Sequence, residues 1–152
     1  MDIDSGNLVF QLKDKNLFKQ QCFINGKWED ADNNATFDVI NPSDSSLIGT
    51  MPNSSKKETK KAVNAAKKAW KEWKNLTGKD RSLIIRKWHD LILENIDDLA
   101  LIMTLENGKP LPDARGEIIY ASWFVDWYAE EAKRTYGKTI PPTMAGRRIL
   151  TI

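Results

Sequence analysis

Apolar residues recur at helical spacing through the middle of the chain, and they predict two long helices joined by a short loop. The first helix covers 82–106, with apolar residues three or four positions apart. They are Ile84, Trp88, Leu91, Ile92, Ile96, Leu99 and Met103. The loop contains Asn107-Gly108, where glycine can take the left-handed conformation that ends a helix. The rest of the chain is expected to be organised around this helical stretch.

The second helix is predicted to begin around Pro110 and Pro112 and to end at Gly137, and it is apolar around more than half of its girth. One stripe consists of Ile118, Ala121, Val125, Tyr128 and Ala132. A second stripe beside it consists of Tyr120, Phe124 and Trp127. A helix that is apolar on two sides is normally enclosed between layers. We therefore expect much of the core to collect around this helix.

Short alternating patterns before residue 55 predict a small antiparallel β element. Asn25-Gly26 lies between apolar runs and supplies the two positive-φ residues of a type I′ hairpin turn. Two further strands are predicted at 36–40 and 47–51, with Asn41-Pro42 as punctuation between them. The predicted fold class is therefore α+β, with short antiparallel strands preceding the helices.

Ser55 and Glu58 form a capping-box pattern that opens another helix, which ends near Trp73. Its predicted buried stripe is Ala62 or Val63 with Ala66, Ala69, Trp70 and Trp73. Its other face carries Lys56, Lys57, Lys60, Lys67, Lys68, Lys71 and Lys74. A basic face can bind phosphate, but no arginine fork or aromatic residue accompanies these lysines, so we interpret it as a solvated face. Thr77 or Asp80 is expected to cap the following helix.

The two ends of the chain carry weaker patterns. Residues 1–16 are polar and predict a flexible arm, ending in a short helical turn near Leu17 and Phe18. At the other end, 138–140 and 147–152 predict two strands, the last of them without a partner. Because natural domains protect apolar edge strands, the chain looks cut at this point.

Composition narrows the possible classes of protein. With 152 residues and 41% apolar content, the chain fits one domain or part of one. Its net charge of +2 does not indicate nucleic acid or an acidic membrane as a partner. No apolar run is long enough to span a membrane. A single cysteine and an N-terminus unlike a secretory signal indicate a cytoplasmic protein. The six tryptophans are interpreted as core residues.

Candidate catalytic chemistry is sparse. Cys22, in the predicted hairpin, is the only thiol, and His89, on the first long helix, is the only imidazole and is expected at the surface or its boundary. One of each cannot form a transition-metal site without several carboxylates. The eight glycines are scattered and form no phosphate-binding loop. The residues alone therefore reveal no reaction.

Five motifs in order nevertheless resemble the N-terminal part of the aldehyde dehydrogenase superfamily, and most of all its bacterial semialdehyde-oxidising members. They are 23–28 (FINGKW), 41–42 with 48–49 (NP, IG), 103–111 (MTLENGKPL), 127–134 (WYAEEAKR) and 136–141 (YGKTIP). The resemblance covers nearly the whole chain from Leu17 onward. It implies that residues 17–136 belong to the cofactor-binding domain of an α/β fold. Residues 137–152 would then begin the bridging or oligomerisation sheet.

The resemblance also implies an activity. Enzymes of the family oxidise aldehydes to acids with NAD or NADP, through attack of a cysteine thiolate on the aldehyde and hydride transfer to the nicotinamide. Here succinate semialdehyde, or a similar aldehyde, is the expected substrate of the parent enzyme. The family's catalytic and cofactor-binding motifs lie beyond Ile152, and Cys22 does not match the catalytic position. The chain alone is therefore expected to bind no cofactor and to be inactive.

Three roles for residues of this chain follow from the same resemblance. Gly116, Tyr120 and Trp127 match the side of the second long helix that flanks the aldehyde tunnel, although Tyr120 can equally be a core residue. The main-chain carbonyl of Ile40 and the carboxylate of Glu106 match two ligands of a structural cation site, and oxygen ligands suit a hard cation. The terminal strands match the sheet that pairs with a neighbouring subunit, which implies a homo-oligomer.

Other interpretations remain open. The chain could be a free-standing assembly module that has no activity and binds intact subunits through its terminal strands. A nucleic-acid-binding lysine face is a third interpretation, and it predicts affinity for duplex DNA that depends strongly on salt. What the gene encodes after Ile152 separates the first two.

Overall fold

The computed structural model describes residues 11–152 and contains short antiparallel strands followed by helices. The strands of the first half are β1 Cys22–Ile24, β2 Lys27–Glu29, β3 Thr36–Ile40 and β4 Leu47–Pro52. The helices are α1 Lys56–Trp73, α2 Gly78–Glu94, α3 Ile96–Asn107 and α4 Leu111–Glu131. The chain ends with β5 Lys138–Ile140 and β6 Ile149–Thr151. This order confirms the predicted α+β class.

The six described strands form three separate antiparallel pairs, β1–β2, β3–β4 and β5–β6. The first turn is the predicted one, because Asn25 and Gly26 have φ angles of 52° and 78°. It sets a register in which Phe23 lies opposite Trp28, with ring centroids 5.1 Å apart. The second pair is shifted in register between Val39 and Ile40. The first two pairs are small and contact the helices, on which strands of this size depend for cover.

Local capping chemistry fixes where α1 and α2 begin. The Ser55 side chain accepts a hydrogen bond from the backbone N–H of Lys57, and Glu58 reaches back to Ser55, so the predicted capping box is present. Of the two predicted caps for α2, Thr77 is the one used, accepting from the Asp80 N–H at 3.1 Å. These bonds satisfy amide groups that a helix leaves free at its start.

The predicted first long helix is in fact two helices, α2 and α3, separated at Asn95. Asn95 leaves the helical region of backbone space, with φ −109° and ψ 19°, and its side-chain amide donates to the Leu91 carbonyl at 2.8 Å. The Leu91 carbonyl also accepts the Asn95 backbone N–H, at 3.3 Å. A side chain that bonds to the local backbone in this way favours a helix boundary. Three main helices were predicted, and the described residues contain four.

The predicted N-terminal arm is only partly within the described residues, since 1–10 lie outside them. Residues 11–16 are not loose. Leu12 is buried, and the buried Asp98 carboxylate accepts the backbone N–H groups of Lys13 at 3.0 Å and Asp14 at 2.8 Å. A 3₁₀ turn follows at Lys15–Leu17, where a helical turn was expected. The arm is therefore attached to the start of α3.

Small residues occupy most of the buried positions in the helical layer. Both α2 and α3 pack against α4, and five of the buried positions along these helices, beside Asp98 and Leu105 of α3, are alanines and serines. They are Ser82, Ala100, Ala114, Ser122 and Ala129, which we call the small-residue seam. A separate apolar cluster joins Leu12, Ile48 and Leu105, so that β4 packs on α3. Small side chains let helix backbones approach closely, which explains why the seam lacks bulky residues.

The predicted buried stripes are therefore wrong in part. Trp88, Ile84 and Leu91 of the first stripe are exposed, while Ile92, Ile96, Leu99 and Met103 are half-buried. On α4, Tyr120, Ala121, Phe124, Trp127 and Tyr128 are exposed, and Ile118, Val125 and Ala132 are half-buried. On α1, Ala62 and Trp73 are half-buried, whereas Val63, Ala66, Ala69 and Trp70 are exposed. The expectation that the tryptophans fill the core fails for Trp28, Trp70, Trp88, Trp123 and Trp127.

The C-terminal prediction also needs correction. Helix α4 ends at Glu131 rather than at Gly137, because the amides of Lys133 and Arg134 bond three residues back instead of four. The last strand does have a partner, since Thr139 of β5 lies opposite Leu150 of β6. All residues of this terminal ribbon (β5 with β6) are nevertheless exposed. Its strands satisfy each other and are covered by nothing else in the described chain.

The chain has a large surface for its mass. Its accessible area is 11555 Å² at 17.4 kDa, whereas a compact monomer of that mass has roughly 7,900 Å². Large aromatic and aliphatic side chains lie outward on α1, α2 and α4 and contribute to this area. An exposed apolar surface of this kind is typical of a protein region that packs against another domain or chain.

Candidate functional site

The most distinctive surface is an aromatic face on α4. It consists of Tyr120, Trp123, Phe124, Trp127 and Tyr128, which line an open groove of about 400 Å³. Their spacing of three and four residues places them on one side of the helix. The Tyr120 ring meets Phe124 edge-on, with centroids 5.0 Å apart, and Trp123 at 6.1 Å. Tyr120 is 56% and Trp127 is 63% exposed, so the face is free in this chain.

The opposite side of α4 holds this face in position. Ser122 and Ala129 of the small-residue seam are buried against the neighbouring helices, and the Ser122 hydroxyl donates to the Ile119 carbonyl at 2.7 Å. Arg86 of α2 donates to the carboxylates of Asp126 and Glu130. The rotation of α4 is therefore fixed by close packing on one flank and by a charged clamp on the other.

Electrostatics reinforce the clamp. Lys133 and Arg86 both donate to the Glu130 carboxylate and hold the pKa of Glu130 below its ordinary value. Glu130 therefore stays ionised at neutral pH and remains available to both cations. A second bridge, from Lys109 to Glu117, ties the loop before α4 to its second turn.

The aromatic face can bind but cannot react. Its five rings offer dispersion contacts to an apolar stem and two phenol groups that can donate hydrogen bonds. None of them is a nucleophile or a base suited to attack a carbonyl at neutral pH. The face can therefore contact an apolar group but supplies no catalytic chemistry of its own.

The structure brings the three predicted tunnel residues together. Gly116 lies one turn before Tyr120, and Trp127 follows two turns after it, so all three share a side of α4. A side chain built at Gly116 would meet no atom within 4 Å, which leaves that end of the face open. Trp123 was missed because neither predicted stripe included it, although its spacing of three from Tyr120 was the available signal. Tyr128 was assigned to the wrong stripe.

The predicted cation ligands come from two segments that meet. Pro42 follows Ile40 by two residues, and Gly108 follows Glu106 by two. Pro42 packs on Gly108 so closely that a Cβ atom built at Gly108 would lie 2.7 Å from the Pro42 ring. Gly108 has a φ of 78°, as a left-handed helix cap requires. Partial burial raises the pKa of the Glu106 carboxyl, a cost that a nearby cation would offset. Within residues 11–152 no cluster of three or more histidine, cysteine or acidic residues could hold a metal, so the two-ligand site stays a prediction.

Cys22 and His89 are not brought together. The Cys22 sulfur lies 3.6 Å from the Ser54 hydroxyl, and the His89 Nδ1 lies 2.9 Å from the Asp90 carboxylate. His89 is half-buried on α2, which confirms the boundary position expected for it. Neither residue faces the aromatic groove.

The lysine face of α1 is exposed, as predicted for a solvated face. Two lysines make ion pairs to the β element, Lys57 with Asp32 and Lys61 with Glu29. Among the described helices, none has the length and apolarity needed to cross a membrane.

Comparison with known proteins gives consistent matches. The sequence model of the aldehyde dehydrogenase family matches residues 28–152. The chain is 52% identical over 142 residues to glutarate-semialdehyde dehydrogenase of Pseudomonas putida, covering 93% of this chain and 30% of that protein. It is 49% identical to the NADP(+) succinate-semialdehyde dehydrogenase of Escherichia coli, again covering 93% and 30%.

Solved structures agree in fold. The crystal structure of an aldehyde dehydrogenase from Brucella melitensis biovar abortus 2308 superposes with a TM-score of 0.88 at 52% identity, covering 92% of this chain and 29% of that one. The chain thus spans about 30% of the length of the curated relatives it matches.

Proposed function

Since the chain belongs to the aldehyde dehydrogenase family, we propose that it forms the amino-terminal part of an NAD(P)-dependent enzyme that oxidises succinate semialdehyde, or a similar aldehyde, to the acid. Relatives at 52% and 49% identity are named for five- and four-carbon semialdehydes, and this supports the substrate class. The match to about 30% of each relative supports a role as one part of the whole enzyme.

The uncovered aromatic face carries the proposal. Five aromatic rings face outward on α4, and ion pairs from Arg86 hold this helix against α2. The rings are therefore held in a fixed arrangement before anything binds to them. In the proposed enzyme, Tyr120 and Trp127 with the open position at Gly116 form one wall of the aldehyde tunnel. The groove needs a second wall, and the remainder of the enzyme supplies it.

Catalysis itself is assigned to residues outside this chain. Cys22 lies beside Ser54 and does not match the family's catalytic position, so we assign the thiolate nucleophile to the remaining part of the enzyme. NAD or NADP would bind to the remaining part of the enzyme, and the 152-residue chain alone is expected to bind neither and to be inactive. The cytoplasmic location stays a prediction.

Assembly through the terminal ribbon is part of the same proposal. Ile140, Ile149 and Leu150 are exposed on a two-stranded ribbon with free outer edges. Exposed strand edges pair readily with strands of another chain. We place the contact between subunits of a homo-oligomer here. The alternative is a non-catalytic module that binds intact subunits through the same ribbon.

The test is to express the polypeptide that the gene encodes through and beyond Ile152, and to follow NADH or NADPH formation with succinate semialdehyde. We expect activity from the longer polypeptide and none from residues 1–152. A stop codon at this point, or an inactive longer product that still binds intact subunits, would favour the assembly module.

The tunnel wall is tested within the active polypeptide. Tyr120→Ala and Trp127→Ala should alter KM for the aldehyde, because each removes an aromatic contact to its stem. Trp70→Ala, which removes an exposed tryptophan from α1, is the matched control and should leave KM unchanged. Unaltered KM in both α4 variants would remove this face from the substrate path.

A further inference from the structure

Two Asn-Gly pairs occur in the chain, and both are followed by lysine. They are Asn25-Gly26-Lys27 and Asn107-Gly108-Lys109. Glycine has no side chain to shield its backbone amide nitrogen. This nitrogen can attack the side-chain carbonyl of a preceding asparagine more readily than the amide nitrogen of any other residue can. Both asparagines lie at the protein surface. Exposure and the following residues therefore do not distinguish the two pairs.

Backbone hydrogen bonding does distinguish them. The Gly108 N–H donates to the Thr104 carbonyl at 2.8 Å, as part of the cap that ends α3. Asn107 is itself the last residue of that helix, and Gly108 is wedged against Pro42. The Gly26 N–H, by contrast, has no acceptor among residues 11–152, because the hairpin turn is closed by the pairing of Ile24 with Lys27 on either side of it.

We propose that Asn25 is a site of spontaneous deamidation and that Asn107 is protected from the same reaction by the α3 cap. The Gly26 amide nitrogen loses its proton and attacks the Asn25 side-chain carbonyl carbon, and ammonia leaves from that carbon. The resulting five-membered imide is opened by one water molecule, which yields aspartate or isoaspartate. No oxidant or other reactant is needed.

The reaction changes the hairpin. Aspartate adds a negative charge at the turn, while isoaspartate inserts an additional methylene group into the backbone. A two-residue turn with both φ angles positive has no room for a longer backbone without a change of register. A change of register would separate the rings of Phe23 and Trp28, which are in contact across the hairpin. The fluorescence of Trp28 should therefore respond to the reaction.

The experiment incubates the purified chain at mildly alkaline pH and follows both asparagine-containing peptides by mass spectrometry after digestion. We expect the Asn25 peptide to convert roughly tenfold faster than the Asn107 peptide, since a hydrogen bond of ordinary net strength must break before Gly108 can react. In denaturant the two rates should become similar, because the cap is lost. In the folded chain, tryptophan fluorescence should change in step with conversion at Asn25.

Matched variants make the assignment specific. Asn25→Gln should abolish the early ammonia release and the fluorescence change, whereas Asn107→Gln should alter neither. Equal rates in the folded chain, or faster conversion of Asn107, would overturn the proposal. A rate difference that persists in denaturant would also overturn it, by showing that the neighbouring sequence rather than the cap is responsible.

Discussion

Glu58 shows how one carboxylate can join two elements. One of its oxygens accepts the Ser55 N–H at 2.7 Å, and the other accepts the Asp32 N–H at 3.0 Å. Hydrogen bonds from the Ser55 hydroxyl and these amides lower the pKa of Glu58 to about 2 from an ordinary 4.5. The same side chain thus caps α1 and anchors the loop that follows β2.

The lowered pKa of Glu58 predicts the pH dependence of stability. The folded state binds this proton less tightly than the unfolded state, so the stabilisation is fully present above pH 4.5 and is lost as pH falls towards 2. Thermal midpoints of the native chain should fall across that window more than those of Glu58→Gln. Glu72→Gln, an exposed change on the same helix, is the control and should follow the native curve. Parallel curves for the native chain and Glu58→Gln would contradict this linkage.

Trp88 tests which side of α2 is buried. Its indole is 59% exposed, so Trp88→Ala should change the free energy of unfolding by less than about 1 kcal/mol. Leu105→Ala, at a position only 2% exposed, should cost about 2–5 kcal/mol. Both are measured by denaturant unfolding of the chain. A larger loss for Trp88 than for Leu105 would mean that α2 is rotated from the position described.

At the scale of elements, the Arg86 clamp joins α2 to α4. Arg86→Met should lower the free energy of unfolding by about 1 kcal/mol, because partly exposed ion pairs contribute no more than that. Arg134→Met, which removes only a pair to Glu131 at the end of α4, should have an effect within about 0.5 kcal/mol. Added salt should reduce the difference between Arg86→Met and the native chain. Equal losses for the two variants would show that the clamp contributes nothing beyond an ordinary surface pair.

Local signals predicted the elements well because each depends on a few adjacent residues. Asn25-Gly26, the Ser55–Glu58 box and Gly108 each carry their own backbone preference, and each lies where it was predicted. The break at Asn95 was missed because the apolar spacing continues through it. The helix is interrupted by the backbone of Asn95, whose side chain bonds to the Leu91 carbonyl, and apolar periodicity carries no sign of this.

The packing faces could not be predicted in the same way. Bulky apolar residues were used to assign the buried faces, whereas the most buried positions of α4 are Ser122, Ala114 and Ala129. The attachment of Lys13 and Asp14 to Asp98 joins positions 85 and 84 residues apart and leaves no local pattern. The predicted tunnel residues share one face because a helix fixes their relative positions, which spacing alone can determine.

For the whole molecule, the area of 11555 Å² and the uncovered aromatic face predict self-association. The isolated 152-residue chain should sediment faster than a monomer at micromolar concentration. The aromatic face can bury apolar surface against a second copy, and the free strand edges can pair with its strands. Trp127→Ser should weaken the association, while Lys67→Ser on the solvated face of α1 should not. A stable monomer by sedimentation velocity would contradict this prediction.

The small-residue seam has a further consequence for how this fold tolerates change. The side chains of this seam are already close to the smallest possible size. Almost every substitution there would therefore add side-chain volume rather than remove it. Natural variation along α4 should therefore differ between its sides, with the positions of Ala114, Ser122 and Ala129 confined to glycine, alanine and serine and the aromatic positions free to exchange one ring for another. Changes on that outer side would leave the buried positions of the helix undisturbed.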